Sequence, residues 1–216
     1  MKIKSLIVFL FFLFTSAIYA QDYFLLTQEG DVFNYYKSGG HDAELNVIID
    51  EVIPYLDKIP IDTGKTAIVF DLDETLLSNV MLYERLYLNN EQFYDTTWSN
   101  WVEGLNSFAL PTKRLYDYVV SRGFVIIFIT GSNDNLQPYI AKNLTRNGYN
   151  TYAEFICRPK EFYNSTALEY KSYFRKKLTE EKGYNIVANA GDQYSDMGGG
   201  NSGMFIRIPN YLYYIK

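Results

Sequence analysis

The chain has 216 residues, 48% of them hydrophobic and 18% aromatic, and its formal net charge at pH 7 is −5. This length supports one substantial core with a small appended lobe, and the acidic balance argues against binding nucleic acid or an anionic membrane surface by bulk electrostatics. His41 is the only histidine and Cys157 the only cysteine, which excludes hydrolases that need two or more histidines and excludes an intrachain disulfide.

The first 20 residues have the layout of a secretory signal peptide. Lys2 and Lys4 precede an apolar run over residues 6–14, and a short segment then leads to Ala20. Because the run is too short to span a bilayer, we expect cleavage after Ala20 and no stable membrane insertion afterwards. A retained membrane anchor is the alternative. Cleavage removes two lysines and no acid, so the net charge of the exported chain, periplasmic or secreted, becomes −7.

The expected domain, residues 21–216, begins with an arm over residues 21–37 that has no clear periodicity. An amphipathic helix is predicted to begin near Asp42 and to end before Pro60. Its apolar residues recur at helical spacing: Leu45, Ile48, Ile49, Val52, Ile53 and Leu56. We expect this helix to cover one side of a sheet.

The central strand of that sheet is predicted at residues 67–70. The segment is too short and too β-branched for a helix and lacks polar alternation, so it reads as buried on both faces. It leads directly into Asp71 and Asp73, and ligands of open α/β sheets bind off the carboxyl ends of strands. Such a close pair of carboxylates either holds a divalent cation or divides the roles of acid and nucleophile. A solvated acidic turn remains the alternative for this pair alone.

Residues 79–110 are too long for a simple connection between a strand and a helix. We interpret them as short helices inserted above the site, and we call this segment the cap. Its aromatic rings either stack on a planar substrate or pack the cap onto the body, and packing is the commoner role. These rings are Tyr83, Tyr87, Phe93, Tyr94, Trp98, Trp101 and Phe108.

A second apolar strand is predicted at residues 124–129, between helices over residues 112–121 and about 136–146. It ends in Thr130 and Gly131, which place a hydroxyl and free backbone N–H groups around one point. This arrangement is typical of an anion site. An ordinary capped turn is the alternative if the motif stands alone.

Later elements carry a lysine and a second acidic pair. A helix that begins at residues 165–167 carries Lys171, which is placed to reach inward as a phosphate ligand. The charge run at residues 175–177 reads as a solvated face. A strand over residues 184–190 leads into Asp192 and Asp196. Shorter strands are predicted at residues 154–157 and 206–208.

Taken together, these elements predict an α/β fold with a Rossmann-like parallel sheet flanked by helices and a small helical cap inserted after the first catalytic strand. Carboxylates from two strands make an oxygen-ligand site suited to Mg²⁺, while a hydroxyl, amides and an ammonium group hold an anion. The residues therefore indicate a phosphate bound over a metal ion.

At these motifs the sequence resembles the haloacid dehalogenase (HAD) superfamily in its secreted acid phosphatase branch, which includes bacterial class B and C acid phosphatases and plant vegetative storage proteins. The resemblance covers about residues 35–216. The matching segments are FDLDET at 70–75, ITG at 129–131, YKS at 170–172 with Arg175, GDQYSD at 191–196 and the segment from Pro209 to Ile215.

The resemblance implies that Asp71 is the nucleophile that takes the phosphoryl group as an aspartyl phosphate. It implies that Asp73 protonates the leaving oxygen, then activates water, and binds the metal through its backbone carbonyl. Asp71 and Asp192 would hold Mg²⁺. Asp196 would ligate through water or orient Lys171.

Thr130, the Gly131 amide and Lys171 would neutralise the transferring oxygens. The chain departs from the pattern at Ser132, where many relatives carry Arg, and this puts any substrate contact of that Arg in doubt. Tyr194 replaces a frequent Trp, a change compatible with packing.

The expected function is a Mg²⁺-dependent acid phosphatase acting on small-molecule phosphomonoesters, with cap aromatics that suit a nucleotide or an aryl phosphate. The interpretation allows a homo-oligomer. One alternative is a secreted storage or interaction protein with a vestigial site, although Asp71 is retained here. Another is a phosphotransferase to alcohols, which would use the same aspartyl phosphate.

Overall fold

The computed structural model describes residues 29–215, and the chain divides into two compact units, residues 1–40 and 41–216. In the first unit, Glu29–Lys37 forms helix α1, so this part of the arm, in which the sequence shows no clear periodicity, is helical. Nine residues make only about two and a half turns, too few for an apolar period to stand out. The predicted signal peptide lies outside the described residues.

The rest of the chain is built of strands and helices that alternate except within and before the cap. In order, they are α2 Gly40–Leu56, β1 Thr66–Phe70, β2 Leu77–Ser78, α3 Val80–Leu88, α4 Asp95–Glu103, β3 Phe108–Ala109, α5 Lys113–Arg122, β4 Val125–Asn133, α6 Gln137–Arg146, β5 Glu154–Arg158, α7 Ala167–Lys182, β6 Asn185–Gly191, α8 Tyr194–Met197 and β7 Met204–Arg207. Short 3₁₀ turns cover Asp134–Leu136 and Lys160–Phe162.

The main sheet has five strands in the order β5-β4-β1-β6-β7, and all of its pairings are parallel. Strand β1 lies at the centre, where Phe70 pairs with Phe128 of β4 and with Ala190 of β6. All five residues of β1 are buried. The predicted α/β fold with a parallel sheet is therefore confirmed, and the carboxyl ends of β1, β4 and β6 meet at one edge.

Alternate residues of β1 face different helices, as the pleat of a strand requires. Ile68 and Phe70 belong to the larger core cluster, which includes buried residues of α2, α5 and α6. Ala67 and Val69 belong to a second cluster with Tyr170 of α7. Helix α2 thus covers one face of the sheet, as predicted, and α7 covers the other.

The cap contains α3 and α4 and starts and ends beside a small antiparallel ribbon. Leu77 of β2 pairs with Ala109 of β3, and Ser78 pairs with Phe108. Inside the cap, Leu82, Leu86 and Trp101 form a separate apolar cluster, against which Trp98 packs. The ribbon brings the two ends of this long insertion together next to the end of β1.

Several element boundaries differ from those predicted. Strand β4 continues through Thr130 to Asn133, because its pairing with β5 resumes at Arg158 after a register shift. The last edge strand lies at Met204–Arg207, slightly earlier than predicted. Within residues 29–215, no helix is long and apolar enough to cross a membrane.

Candidate active site

Four of the predicted site residues meet where β1 and β6 end. Asp71 follows β1 directly, and Asp192 follows β6. Lys171, on the second turn of α7, donates from Nζ to Asp71 Oδ1 at 2.6 Å and also to Asp196 Oδ1. All four side chains are buried. One ammonium group therefore joins carboxylates that are separated widely in the sequence.

Asp71, Asp192 and Asp196 each present a carboxylate oxygen within 4.8 Å of those of the other two. Such a donor set consists only of hard oxygen ligands, which suits a divalent cation such as Mg²⁺ or Mn²⁺ better than a soft metal. Lys171 supplies one positive charge against three acids. The residues present thus fit a bound divalent cation.

Burial is the largest influence on the pKa values of Asp71 and Asp192. It raises the pKa of Asp71 well above the usual range, although Lys171 opposes the shift. Burial, with the nearby charge of Asp196, raises the pKa of Asp192 to about 6. Burial alone would lower the pKa of Lys171, but the carboxylates of Asp196 and Asp71 outweigh it and raise that pKa. The lysine therefore stays charged, and added positive charge would favour ionised carboxylates.

Neighbouring donors fix the orientation of these carboxylates. Asp192 Oδ2 accepts from Gln193 Nε2 at 2.6 Å and from Asn210 Nδ2 at 2.7 Å. Asp196 Oδ2 accepts from the backbone N–H of Gln193 at 2.8 Å. Thr75 Oγ1 lies 3.2 Å from Asp71 Oδ2 and 3.4 Å from Asp192 Oδ1. The trio is thus held in place by the protein itself.

Asp73 lies beside the trio and is hydrogen-bonded through both carboxylate oxygens. Its Oδ1 accepts from Asn79 Nδ2 at 3.2 Å, and its Oδ2 accepts from Thr130 Oγ1 and Ser132 Oγ, each at 3.3 Å. Burial raises the pKa of Asp73, and the hydrogen bonds from Asn79 and Thr130 oppose this. A raised pKa suits a group that must hold a proton before giving it up.

Gly131 is exposed between the buried side chains of Thr130 and Ser132, and the space beside its Cα is open. The structure therefore brings every predicted site residue to one edge of the sheet. Thr130 contacts Asp73 directly, a contact that the sequence did not predict.

Sequence reasoning missed a buried glutamate next to Asp73. Glu74 adopts a positive φ of 56°, and it accepts from the Asn79 backbone N–H at 2.6 Å and from Tyr213 Oη at 2.9 Å. Burial, together with the charges of Asp73 and Asp192, raises its pKa to about 8. Its partners come from the cap and from the far end of the chain, so no local pattern could have identified them.

The predicted solvated face at residues 175–177 is wrong at its first position. Arg175 is 1% exposed, and its guanidinium donates to the carbonyls of Asp196 at 2.6 Å, of Gly200 at 3.2 Å and of Gly198. Lys176 and Lys177 do face solvent. Arg175 lies one turn beyond Lys171 on α7, so the helix surface that carries the site lysine also carries the arginine inward.

Comparison with known proteins identifies the family. A family model described as "HAD superfamily, subfamily IIIB (Acid phosphatase)" matches residues 15–216. Acid phosphatase 1 of Solanum lycopersicum is 34% identical over 85% of this chain and 73% of its own length. The stem 28 kDa glycoprotein of Glycine max is 39% identical over 70% of this chain and 61% of its own length. Vegetative storage protein 1 of Arabidopsis thaliana is 34% identical over 68% of this chain and 54% of its own length.

A solved structure shares the fold. The class C acid phosphatase of Bacillus anthracis superposes with a TM-score of 0.71 at 23% identity, covering 88% of this chain and 86% of that chain. The family model matches all of the described residues, which carry the two acidic pairs, the lysine and the parallel sheet already described. The chain therefore belongs to the acid phosphatases of subfamily IIIB of the HAD superfamily and is an enzyme of the phosphoric monoester hydrolase class.

Proposed function

We propose that this chain is an exported, Mg²⁺-dependent acid phosphatase that hydrolyses small phosphomonoesters through an aspartyl phosphate on Asp71. The observation that carries the proposal is the buried contact of Lys171 with Asp71 and Asp196, beside Asp192. A lysine in this position brings positive charge to the point where a carboxylate must approach a phosphate dianion.

Phosphatases of this superfamily generally use a divalent metal ion, and the trio fits one. In the proposal, the carboxylates of Asp71 and Asp192 and the backbone carbonyl of Asp73 hold Mg²⁺. Asp196 orients Lys171, because its Oδ1 accepts from the lysine and its Oδ2 is tied to the Gln193 N–H. The bound ion would neutralise negative charge on the transferring phosphoryl group.

The reaction has two displacements. In the first, an oxygen of Asp71 forms a bond to phosphorus while the bond to the leaving oxygen breaks, and Asp73 gives its proton to that oxygen. In the second, water attacks phosphorus, Asp73 takes a proton from the water, and the bond to Asp71 breaks to release inorganic phosphate. The raised pKa of Asp73 supports its role as the proton carrier.

The anion-holding groups would be Lys171, Thr130 and the Gly131 amide. The exposure of Gly131 and the open space around it leave room for a phosphate to approach the backbone. Thr130 lies within hydrogen-bonding distance of Asp73, so in this proposal it links the phosphate site to the proton carrier.

Aromatic rings near Glu74 support a planar substrate, such as a nucleotide or an aryl phosphate. Tyr83 stacks on Phe93 with centroids 6.1 Å apart and lies 5.1 Å from Tyr213. Phe93 remains 47% exposed, which leaves ring surface for a substrate. Export is supported by the signal-peptide layout of the first 20 residues and by the stem glycoprotein relatives.

The test measures inorganic phosphate released from p-nitrophenyl phosphate and from a nucleoside monophosphate, with Mg²⁺ and with EDTA. Asp71→Asn should abolish turnover by the mature chain, while Asp117→Asn on the exposed surface of α5 should not change it. Activity that survives both EDTA and Asp71→Asn would contradict the proposal.

The curated relatives also favour a second candidate, a storage protein, because two of them are vegetative storage proteins of Arabidopsis thaliana. A wild type as inert as Asp71→Asn between pH 4 and 8 would support that candidate. A phosphotransferase would be recognised by glycerol phosphate formed when glycerol is added to the assay.

A further inference from the structure

Two tryptophans of the cap lie one turn apart on α4, and each is close to a polar residue that contacts Asp73. Trp98 and Trp101 are three positions apart, so their side chains lie on the same side of the helix. Trp101 is 9% exposed and Trp98 is half-buried. An indole N–H can donate a hydrogen bond but cannot accept one, so each tryptophan fixes the direction of the contact it makes.

The first contact runs through Ser132. Trp98 Nε1 donates to Ser132 Oγ at 3.2 Å, and Ser132 Oγ lies 3.3 Å from Asp73 Oδ2. Because the indole uses a lone pair of the serine oxygen, the serine proton is free to point at the aspartate. The Ser132 hydroxyl, which could otherwise rotate freely, is thereby oriented as a donor to Asp73 Oδ2.

The second contact runs through Asn79. Trp101 Nε1 and Ser107 Oγ donate to Asn79 Oδ1 at 2.9 Å and 2.5 Å. The amide is thus oriented so that its Nδ2 donates to Asp73 Oδ1 at 3.2 Å. This link reaches the other oxygen of the same carboxyl group.

We propose that Trp98 and Trp101 are positioning residues, which orient the two carboxylate oxygens of Asp73 through Ser132 and Asn79. Proton transfer by Asp73 then depends on the position of the cap. The inference rests on the proposed function, because it needs Asp73 to be the acid that protonates the leaving oxygen. Both links begin on one helix of the cap, so a displacement of α4 would weaken the hydrogen bonds to both oxygens of Asp73 at once.

The inference predicts a loss that depends on the leaving group. Nitrophenolate leaves readily without being protonated, whereas phenolate depends more strongly on receiving a proton. A badly oriented Asp73 should therefore slow the hydrolysis of phenyl phosphate more than that of p-nitrophenyl phosphate. General acid catalysis typically accelerates a reaction about 10²–10⁴-fold. Loss of one of the donors to Asp73 should reduce this rate enhancement by roughly tenfold. The quantity to compare is kcat/KM, which covers only the steps up to departure of the leaving group.

The variants are Trp98→Phe, Trp101→Phe and Ser132→Ala, each of which removes a donor and keeps most of the local packing. Ser99→Ala is the matched control, because it removes a side-chain hydrogen bond on the same helix, to the Asp95 carbonyl at 3.0 Å, that does not lead to Asp73. Thermal unfolding of each variant shows whether it is folded. If Trp98→Phe does not fold, Ser132→Ala still tests that link, since it removes only one oxygen.

The expected result is a loss of kcat/KM about tenfold larger for phenyl phosphate than for p-nitrophenyl phosphate in Ser132→Ala, with a smaller loss of the same kind in each tryptophan variant. Trp98→Phe combined with Ser132→Ala should show no additional selective loss, because both act on one link. If the wild type is active and the variants lose kcat/KM equally for the two substrates, or lose none, the inference is overturned. An inert wild type would instead refute the proposed function, and the inference with it.

Discussion

Replacing Arg175 with Met should destabilise the protein strongly, although the residue belongs to a run of basic residues that looks solvent-exposed in the sequence. The substitution leaves the carbonyl oxygens of Gly198 and Gly200 without this donor, while Asp196 O keeps its bond from Asn189 Nδ2. An orphaned buried acceptor costs about 1–3 kcal/mol. Gly198 is buried, whereas Gly200 is exposed and its carbonyl can bond to water, so the expected loss comes mainly from Gly198 and is roughly 2 kcal/mol. Burial lowers the pKa of Arg175 to about 10, so the guanidinium is charged at neutral pH.

The assay is urea unfolding at neutral pH, with Lys176→Met as the control. Lys176 is the next residue in the same run, its side chain is 61% exposed, and its 3.8 Å ion pair with Glu180 is a surface contact, so its replacement should change stability by less than about 0.5 kcal/mol. Because Arg175 binds the backbone carbonyls of the segment 196–200, which includes Asp196, the arginine variant should also lose activity at temperatures below its unfolding transition. Similar stability losses in the two variants would refute this reasoning.

Three further predictions concern single residues. Burial lowers the pKa of His41, so the charged form is disfavoured in the folded state and the contribution of His41 to stability should fall as pH falls below about 6.5; NMR titration of this histidine should give a midpoint below that value, and a higher midpoint would contradict the burial argument. Burial raises the pKa of Cys157 to about 12, so a thiol reagent should label the native protein far more slowly than the urea-unfolded chain; equal rates would show that the thiol is accessible. Thr166 accepts from the Glu169 backbone N–H at 3.2 Å within a capping box at the start of α7, so Thr166→Ala should lose about 1 kcal/mol in urea unfolding; an unchanged midpoint would mean that the cap contributes nothing.

The sheet and its first acidic pair could be predicted because their signals are local. The uninterrupted apolar run of β1 indicates burial on both faces, and the residue that follows a parallel strand must lie at the carboxyl edge. The same reasoning applied to β6 predicted Asp192. These assignments needed only the order of residues along each strand.

The supporting contacts could not be predicted, because they join segments that the sequence keeps apart. Arg175 and Lys176 are both basic, and only the packing of α7 on the segment 196–200 makes one buried and the other exposed. Asn79 links the end of β2 to two cap residues and to Asp73. The order of residues along the chain does not show which distant segments come into contact.

The same separation has a consequence for folding kinetics. Lys171 and Asp71 are 100 positions apart, and Tyr213 and Glu74 are 139 apart, so these contacts close long loops and should form late. A partly folded chain that has paired β1 with β4 and β4 with β5 would already bury much of the apolar surface, but it would not yet have brought Asp192 and Asp196 beside Asp71. Repulsion among the carboxylates therefore arises in the final stage of assembly, after most of the hydrophobic driving force is in place.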